Sequence, residues 1–407
     1  MGWKRWAWLG VVFPVCLPFA CGAEDSGKAP PNTGGSAGTG GSADASQSGG
    51  AGGGTGGVSL DAGDAEAAAC VADVVEATSA KLPVDVILVV DTSATMAPVS
   101  DAVEANVNAN LAAELTTSGI DYRLIVLAGY GSGAELCIGP PLGGANCATP
   151  PAQPANTSTF FQYPDTTGSG GMLANIVQWY NTADPMGTAP SGWSQWLRSD
   201  AWRVFVVMTD SESTSSLSGA QFDSQLLALT PANFGTASAR RYTFHSIIGL
   251  GENTPATSPW LPSDPIVTTT CGNGEGFTTG AGEPFQEVSK LTGGLRFPVC
   301  QYQSFNSVFQ GLAKDVATFT PFACDMPFPT PPAGKTIDPN TIQLTYTPLG
   351  GTSELFKQVK SAAECSPGSM WVEGQTIHVC PEACTKVNAT AGGTIGVQFG
   401  CDVGFVK

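Results

Sequence analysis

The chain has 407 residues, and its 34 acidic and 17 basic residues give a formal net charge of −17. This length allows two domains plus tails. The acidic balance argues against nucleic-acid binding and against docking on anionic lipid, because both need clustered Lys and Arg.

Residues 1–20 predict export. Lys4 and Arg5 form a positive n-region, and residues 6–19 are an apolar stretch too short to span a bilayer comfortably. A small residue then precedes Cys21, and the whole resembles a bacterial lipoprotein signal in which that cysteine is lipidated. The alternative is an ordinary cleaved signal and a secreted product. Since no later segment is long and apolar enough for a transmembrane helix, we expect membrane contact only through the lipid.

Residues 22–68 are dominated by Gly, Ser, Ala, Thr and Asp, with hardly a large apolar side chain. Such a segment cannot bury enough surface to offset the entropy lost on ordering. We therefore expect a flexible tether that holds the folded part away from the membrane.

From residue 80 to residue 322, apolar strands alternate with amphipathic helices. The run Val84–Val90 is almost continuously apolar, which is typical of a parallel strand buried on both faces. Strands are also predicted at 121–127, 203–208, 242–250 and 295–299. Helices are predicted from Pro98 to Gly119, over 172–182, 222–229 and 285–291, and from Phe305 to Phe319. The alternation predicts an α/β domain with a doubly wound, mostly parallel sheet and helices on both faces.

Residues 323–407 follow a different pattern. Alternating apolar residues at 342–346 and the segments 376–380 and 394–401 predict short strands, and the only helix expected lies near 354–360. Five of the ten mature cysteines fall in this region, which favours a small disulfide-rich β module.

Cysteine usage agrees with export. Of the twelve cysteines, Cys16 lies in the signal and Cys21 is the predicted lipidation site, so ten remain. An even number in an exported chain predicts disulfides. We expect local bridges Cys137–Cys147 and Cys271–Cys300 and leave the other pairs open. Zinc is the alternative for Cys380 and Cys384, but no second cysteine pair has matching spacing.

The candidate chemistry lies just past the first core strand. Ligands bind in open α/β sheets at the carboxyl ends of strands, and Asp91, Ser93 and Thr95 place one carboxylate and two hydroxyls there. Asp210 ends another buried strand and supplies a second carboxylate at the same edge. Hard oxygen ligands of this kind suit Mg²⁺ or Ca²⁺. The alternative is that the hydroxyls cap the following helix while Asp91 accepts backbone hydrogen bonds.

The loop from Asp91 to Thr95 resembles the metal-ion-dependent adhesion site of the von Willebrand factor type A family. Thr209-Asp210 resembles the second aspartate of that site, and the resemblance covers about residues 80–320. It implies a third hydroxyl from the loop before the next helix, for which Ser169 fits best and Thr167 is the fallback. It also implies a bound Mg²⁺, Ca²⁺ or Mn²⁺. The commoner loop has Gly and Ser where this chain has Ala94 and Thr95.

The resemblance implies a binding protein rather than an enzyme. In this family the metal leaves one coordination position for an acidic residue of a protein partner, which implies metal-dependent adhesion. The signal, tether, type A domain and Cys-rich tail together also resemble envelope lipoproteins of myxobacteria, which implies an outer-membrane or cell-surface location. The alternative function is a metal-independent scaffold of the envelope. A hydrolase site within 132–168 is disfavoured, because His245 and His378 are both expected to be structural.

Overall fold

The computed structural model describes residues 81–402, apart from 169, 212–216, 273–277, 329–330, 332–335, 390–391 and 400. The predicted signal 1–20, the lipidation site Cys21 and the tether 22–68 therefore lie outside the described residues. Among the described residues, no helix is long and apolar enough to cross a membrane.

The first part of the chain folds around a six-stranded sheet. Its strands and a small hairpin are β1 Val84–Val90, β2 Tyr122–Leu127, β3 Phe160–Tyr163, β4 Trp202–Met208, β5 Gly235–Thr236, β6 Ala239–Arg240, β7 Tyr242–Ile248 and β8 Arg296–Pro298. The sheet order is β3-β2-β1-β4-β7-β8, and every neighbouring pair is parallel. The predicted parallel sheet is confirmed.

Helices cover both faces of this sheet. They are α1, made of the consecutive segments Ala97–Asn106, Val107–Ala112 and Ala113–Thr117, then α2 Met172–Gln178, α3 Gly219–Leu229, α4 Pro231–Phe234, α5 Glu283–Thr292 and α6 Phe305–Phe319. Strand β1 shows how the layers form. Its Val86 and Leu88 pack in one buried cluster with α1 and α6, whereas Ile87 and Val89 pack in the other with α2, α3 and α5. Successive side chains of a strand point to opposite faces, so the consecutive apolar residues of β1 need a helical layer on each side of the sheet.

Strand β3 lies between the predicted strand 121–127 and the predicted helix 172–182, where the sequence analysis predicts no element. The segment 252–270, which lies between β7 and α5, packs against the edge of the sheet at β8. Trp260 forms an antiparallel bridge to Arg296 of β8. The fully buried guanidinium of Arg296 donates to the carbonyls of Pro265 and Leu261. The insertion thereby covers an edge that would otherwise be open to pairing.

The C-terminal region is a separate β layer with its own core. Its elements are β9 Asp325–Pro327, β10 Thr336–Ile337, β11 Gln343–Thr347, β12 Glu354–Val359, β13 Ser369–Glu373, β14 Thr376–Val379, helix α7 Pro381–Ala389, β15 Thr394–Gln398 and β16 Cys401–Asp402. The main sheet has the order β15-β11-β12-β13-β14-β9. The helix expected near 354–360 is wrong, since β12 occupies that segment, and α7 was not predicted.

Four disulfides occur in the described residues. Cys137–Cys147 and Cys271–Cys300 confirm the predicted local pairs. Two further disulfides, Cys324–Cys384 and Cys365–Cys380, cross-link the C-terminal layer. Because Cys380 and Cys384 bond to different partners, the zinc alternative for this pair is wrong.

Candidate metal site

The candidate site lies where the strand order reverses. The chain runs outward from β1 to β2 and β3, then returns to place β4 on the other side of β1. Val90 pairs with Met208, so Asp91 and Thr209 follow side by side, and the Asp91 amide donates to the Met208 carbonyl at 2.9 Å. The crevice beyond such a reversal is where open α/β sheets bind ligands.

The Asp91 carboxylate is fully buried and fixed by two hydrogen bonds. The Ser93 amide donates to its Oδ1 at 2.8 Å, and the Thr209 hydroxyl donates to its Oδ2 at 2.8 Å. One donor comes from its own loop and the other from the end of β4. The carboxylate is therefore held in a defined orientation across the two strands.

Two acidic side chains share this crevice, and Asp210 is only 2% exposed. Burial raises the pKa of Asp91, and the charge of Asp210 raises it further, against the hydrogen bonds from Ser93 and Thr209. Within the described part of the chain, neither carboxylate forms an ion pair with a basic side chain. Buried charges are normally paired or bound to metal, so this arrangement favours a cation.

The hydroxyls of the loop are not used as helix caps. Ser93 occupies the N-cap position of the short 3-10 turn Ala94–Met96, yet its side chain makes no capping hydrogen bond. Instead, its Oγ lies 3.3 Å from Oγ1 of Thr95, which is exposed. The capping interpretation is wrong for Ser93, although Asp91 does accept one backbone hydrogen bond, as that interpretation expected.

The third loop reaches the site through Thr167. Its carbonyl accepts a hydrogen bond from the Thr92 amide at 2.9 Å, which ties it to the Asp91 loop. The buried Thr167 hydroxyl accepts from the Asn175 side chain at 2.9 Å. Ser169, the preferred third ligand, lies outside the described residues.

Sequence reasoning missed the side chains that orient the two aspartates. Thr209 orients Asp91, and the Ser211 hydroxyl donates to Oδ1 of Asp210 at 3.1 Å. The signal was present, since hydroxyl residues flank Asp210 on both sides in the sequence. Asn175 gave no comparable signal, because a polar residue on a helix has many other uses.

The donor set fits a hard divalent cation. Asp91 and Asp210 provide carboxylate oxygens, and Ser93 and Thr95 provide hydroxyl oxygens, which are the ligands that Mg²⁺, Ca²⁺ and Mn²⁺ prefer. In the described residues, no three His, Cys, Asp or Glu side chains cluster as a metal centre. The candidate set has only two such residues, so hydroxyls would supply much of the coordination.

Both histidines have structural partners, as expected. His245 is 1% exposed, its Nδ1 accepts the Leu295 amide at 3.0 Å, and burial lowers its pKa to about 3. His378, in β14, contacts Asp325 at 2.6 Å and stacks on Trp371.

Two comparisons with known proteins found no match. No family model matches the chain, and no curated protein matches it. The resemblance to the type A family therefore rests on the motifs at Asp91 and Asp210 and on their placement in the sheet.

Proposed function

We propose that the chain is an envelope-anchored lipoprotein whose α/β domain is a von Willebrand factor type A domain that binds protein partners through a divalent cation. One observation carries this proposal. Asp91 and Asp210, which follow neighbouring strands, are both buried at the reversal of strand order, and neither has a basic partner among the described residues. A divalent cation offsets the desolvation and repulsion of two such charges.

In this proposal Asp91, Asp210, Ser93 and Thr95 hold the cation, with Ser169 or Thr167 as a third hydroxyl. A cation held by two protein carboxylates keeps room in its shell, which an acidic residue of a partner completes. The site binds and orients a partner and performs no reaction, so we propose a binding protein rather than an enzyme.

A metal-independent envelope scaffold is the second candidate. The observation that favours it is the Asp91 carboxylate itself, because both of its oxygens already accept hydrogen bonds from Ser93 and Thr209. A carboxylate satisfied in this way is able to serve the fold without a metal.

Metal titration of the purified folded protein tests the site. We expect calorimetry to show Mg²⁺ or Mn²⁺ binding by the wild type and none by Asp91→Ala. Unchanged binding in Asp91→Ala would remove the site assignment.

Capture from envelope extracts tests the function. An immobilised wild-type protein should retain a partner in Mg²⁺ and release it in EDTA, whereas a scaffold would give the same capture in both buffers.

The envelope location is a proposal from the sequence alone. If Cys21 carries the lipid, Cys21→Ala should move the protein from the membrane fraction to the soluble fraction. An unchanged distribution would favour the ordinary cleaved signal.

A further inference from the structure

A short series of hydrogen bonds links a distant segment to the second aspartate. The Thr279 hydroxyl donates to the Ser211 hydroxyl oxygen at 2.7 Å, and the Ser211 hydroxyl donates to Oδ1 of Asp210 at 3.1 Å. The Thr279 amide also donates to the Asp210 carbonyl at 3.2 Å. Thr279 therefore contacts the Asp210 segment through both its backbone and its side chain.

The direction of these bonds determines where the Ser211 proton points. A hydroxyl has one proton and two acceptor positions. Because Thr279 donates to Ser211, Ser211 uses an acceptor position for Thr279 and keeps its only proton for Asp210. Without Thr279, the Ser211 hydroxyl is free to rotate towards solvent, since Ser211 is only half-buried.

The segment that carries Thr279 is anchored independently of the site. The Thr278 hydroxyl donates to the Cys271 carbonyl at 2.7 Å, and Cys271 is bonded to Cys300. The Cys271 amide donates to the Gly249 carbonyl just past β7. The end of a third strand thus supports the carboxylate at the end of β4.

We propose that Thr279, acting through Ser211, is a positioning residue that orients the Asp210 carboxylate for the cation. This inference rests on the proposed function, since it concerns the affinity of the same site. Partners outside the coordination shell fix the orientation of ligating carboxylates, and removing one typically costs 10- to 100-fold in metal affinity.

Three substitutions separate this role from simple support of the loop. Thr279→Val removes the hydroxyl and keeps the side-chain shape, whereas Thr279→Ser keeps the hydroxyl. Thr278→Val is the matched control, because it removes a hydroxyl hydrogen bond from the adjacent residue without touching Ser211 or Asp210. Each is measured by calorimetric titration with MgCl₂ and by thermal unfolding in EDTA.

We expect Thr279→Val to raise the Mg²⁺ dissociation constant about tenfold. Thr279→Ser and Thr278→Val should stay within about twofold of the wild type. In EDTA, Thr279→Val and the wild type should unfold at the same temperature, because Thr279 is exposed and its hydroxyl supports the site rather than the core.

The outcomes distinguish the two levels of inference. If the wild type binds no divalent cation, the proposed function fails and this inference fails with it. If the wild type binds Mg²⁺ and Thr279→Val binds it equally well, only the positioning role is overturned. An equal loss in Thr278→Val and Thr279→Val would show that the loop acts as a unit, which also overturns it.

Discussion

Replacing Asp91 by asparagine separates the charge of this side chain from its hydrogen bonds. The asparagine side chain keeps an oxygen that accepts from the Ser93 amide. Its side-chain nitrogen is able to donate to the Thr209 hydroxyl, which then accepts a hydrogen bond at the place where it donates one to Asp91. The variant therefore retains the local structure but loses one of the two buried carboxylates. Asp91→Ala, in contrast, leaves the fully buried Thr209 hydroxyl without this partner, at a cost of about 1–3 kcal/mol.

We expect the Asp91 charge to have opposite effects on stability with and without Mg²⁺. Burial and the charge of Asp210 both disfavour the ionised Asp91, as its raised pKa shows. Removing the charge should stabilise the metal-free protein by about 1 kcal/mol, as is common where a binding site is strained. That corresponds to about 2–4 °C in unfolding temperature for a domain of this size. At a Mg²⁺ concentration about 100 times the dissociation constant, the proposed site should add about 2.7 kcal/mol to the free energy of unfolding of the wild type and nothing to that of Asp91→Asn.

Thermal unfolding in two buffers measures this reversal. In EDTA we expect Asp91→Asn to unfold above the wild type, and Asp91→Ala to unfold below it. In saturating Mg²⁺ the wild type should be the most stable of the three. If Mg²⁺ raises the unfolding temperature of Asp91→Asn as much as that of the wild type, or does not raise that of the wild type, the proposed role of these carboxylates in cation binding is refuted.

Three further changes test the stability of the α/β domain, each by urea denaturation. Burial raises the pKa of Asp315 to about 7. Between about pH 4 and pH 7 the folded protein therefore keeps this carboxyl neutral, whereas the unfolded chain ionises it. The free energy of unfolding falls as the pH rises through this range. The free energy of unfolding of Asp315→Asn should therefore exceed that of the wild type by about 2–4 kcal/mol at pH 8 and by little at pH 4. The same difference at both pH values would contradict this. Arg198→Ala should cost about 3–5 kcal/mol, because it leaves the fully buried Asp85 without its ion pair at 2.8 Å; a loss below about 1 kcal/mol would contradict that pairing. Replacing Cys137 and Cys147 by serine opens a bridge of sequence separation 10 and should cost about 2.7 kcal/mol without changing Mg²⁺ affinity. A weaker affinity in that variant would show that this loop also supports the site.

The layers of the α/β domain were predictable because burial dominates its sequence pattern. A nearly all-apolar run such as Val84–Val90 is stable in a folded domain as a strand covered on both faces. The closing helix Phe305–Phe319 was predictable, because apolar side chains recur on one face; five of the six that mark this face pack into the core, whereas Phe319 is exposed. Strand β3 was missed because its four residues lie within a long irregular stretch, where periodicity has no room to appear.

The errors in the C-terminal layer have a different cause. Glu354–Val359 contains good helix formers, but pairing with β11 and β13 on either side overrides that preference. Helix α7 was interpreted as a cysteine motif, although Pro381 suits a first helical turn and Ala383 and Val387 face the core four residues apart.

At the candidate site, the sequence indicates the proposed ligands more clearly than the residues that position them. Asp91 and Asp210 were recognisable because each ends a buried strand, and the register of β1 and β4 brings those ends together. Thr279 was not recognisable, since its contact with Ser211 joins residues 68 positions apart and no local pattern marks it. Such contacts depend on how loops pack, which periodicity does not encode.

The position of the site explains why loops from several strands must build it. After β1 the chain enters α1 on one face of the sheet, and after β4 it enters α3 on the other face, so neither helix covers the crevice between the two strand ends. Thr167, in the loop after β3, accepts a hydrogen bond from Thr92 beside Asp91, and Thr279, in the loop after β7, donates to Ser211 and to the Asp210 carbonyl. The strands β1 and β4 therefore set the positions of the two carboxylates, and the loops after β3 and β7 supply residues around them. We therefore expect substitutions in these two loops to alter the Mg²⁺ affinity and the partner choice of the proposed site, with little effect on the stability of the sheet.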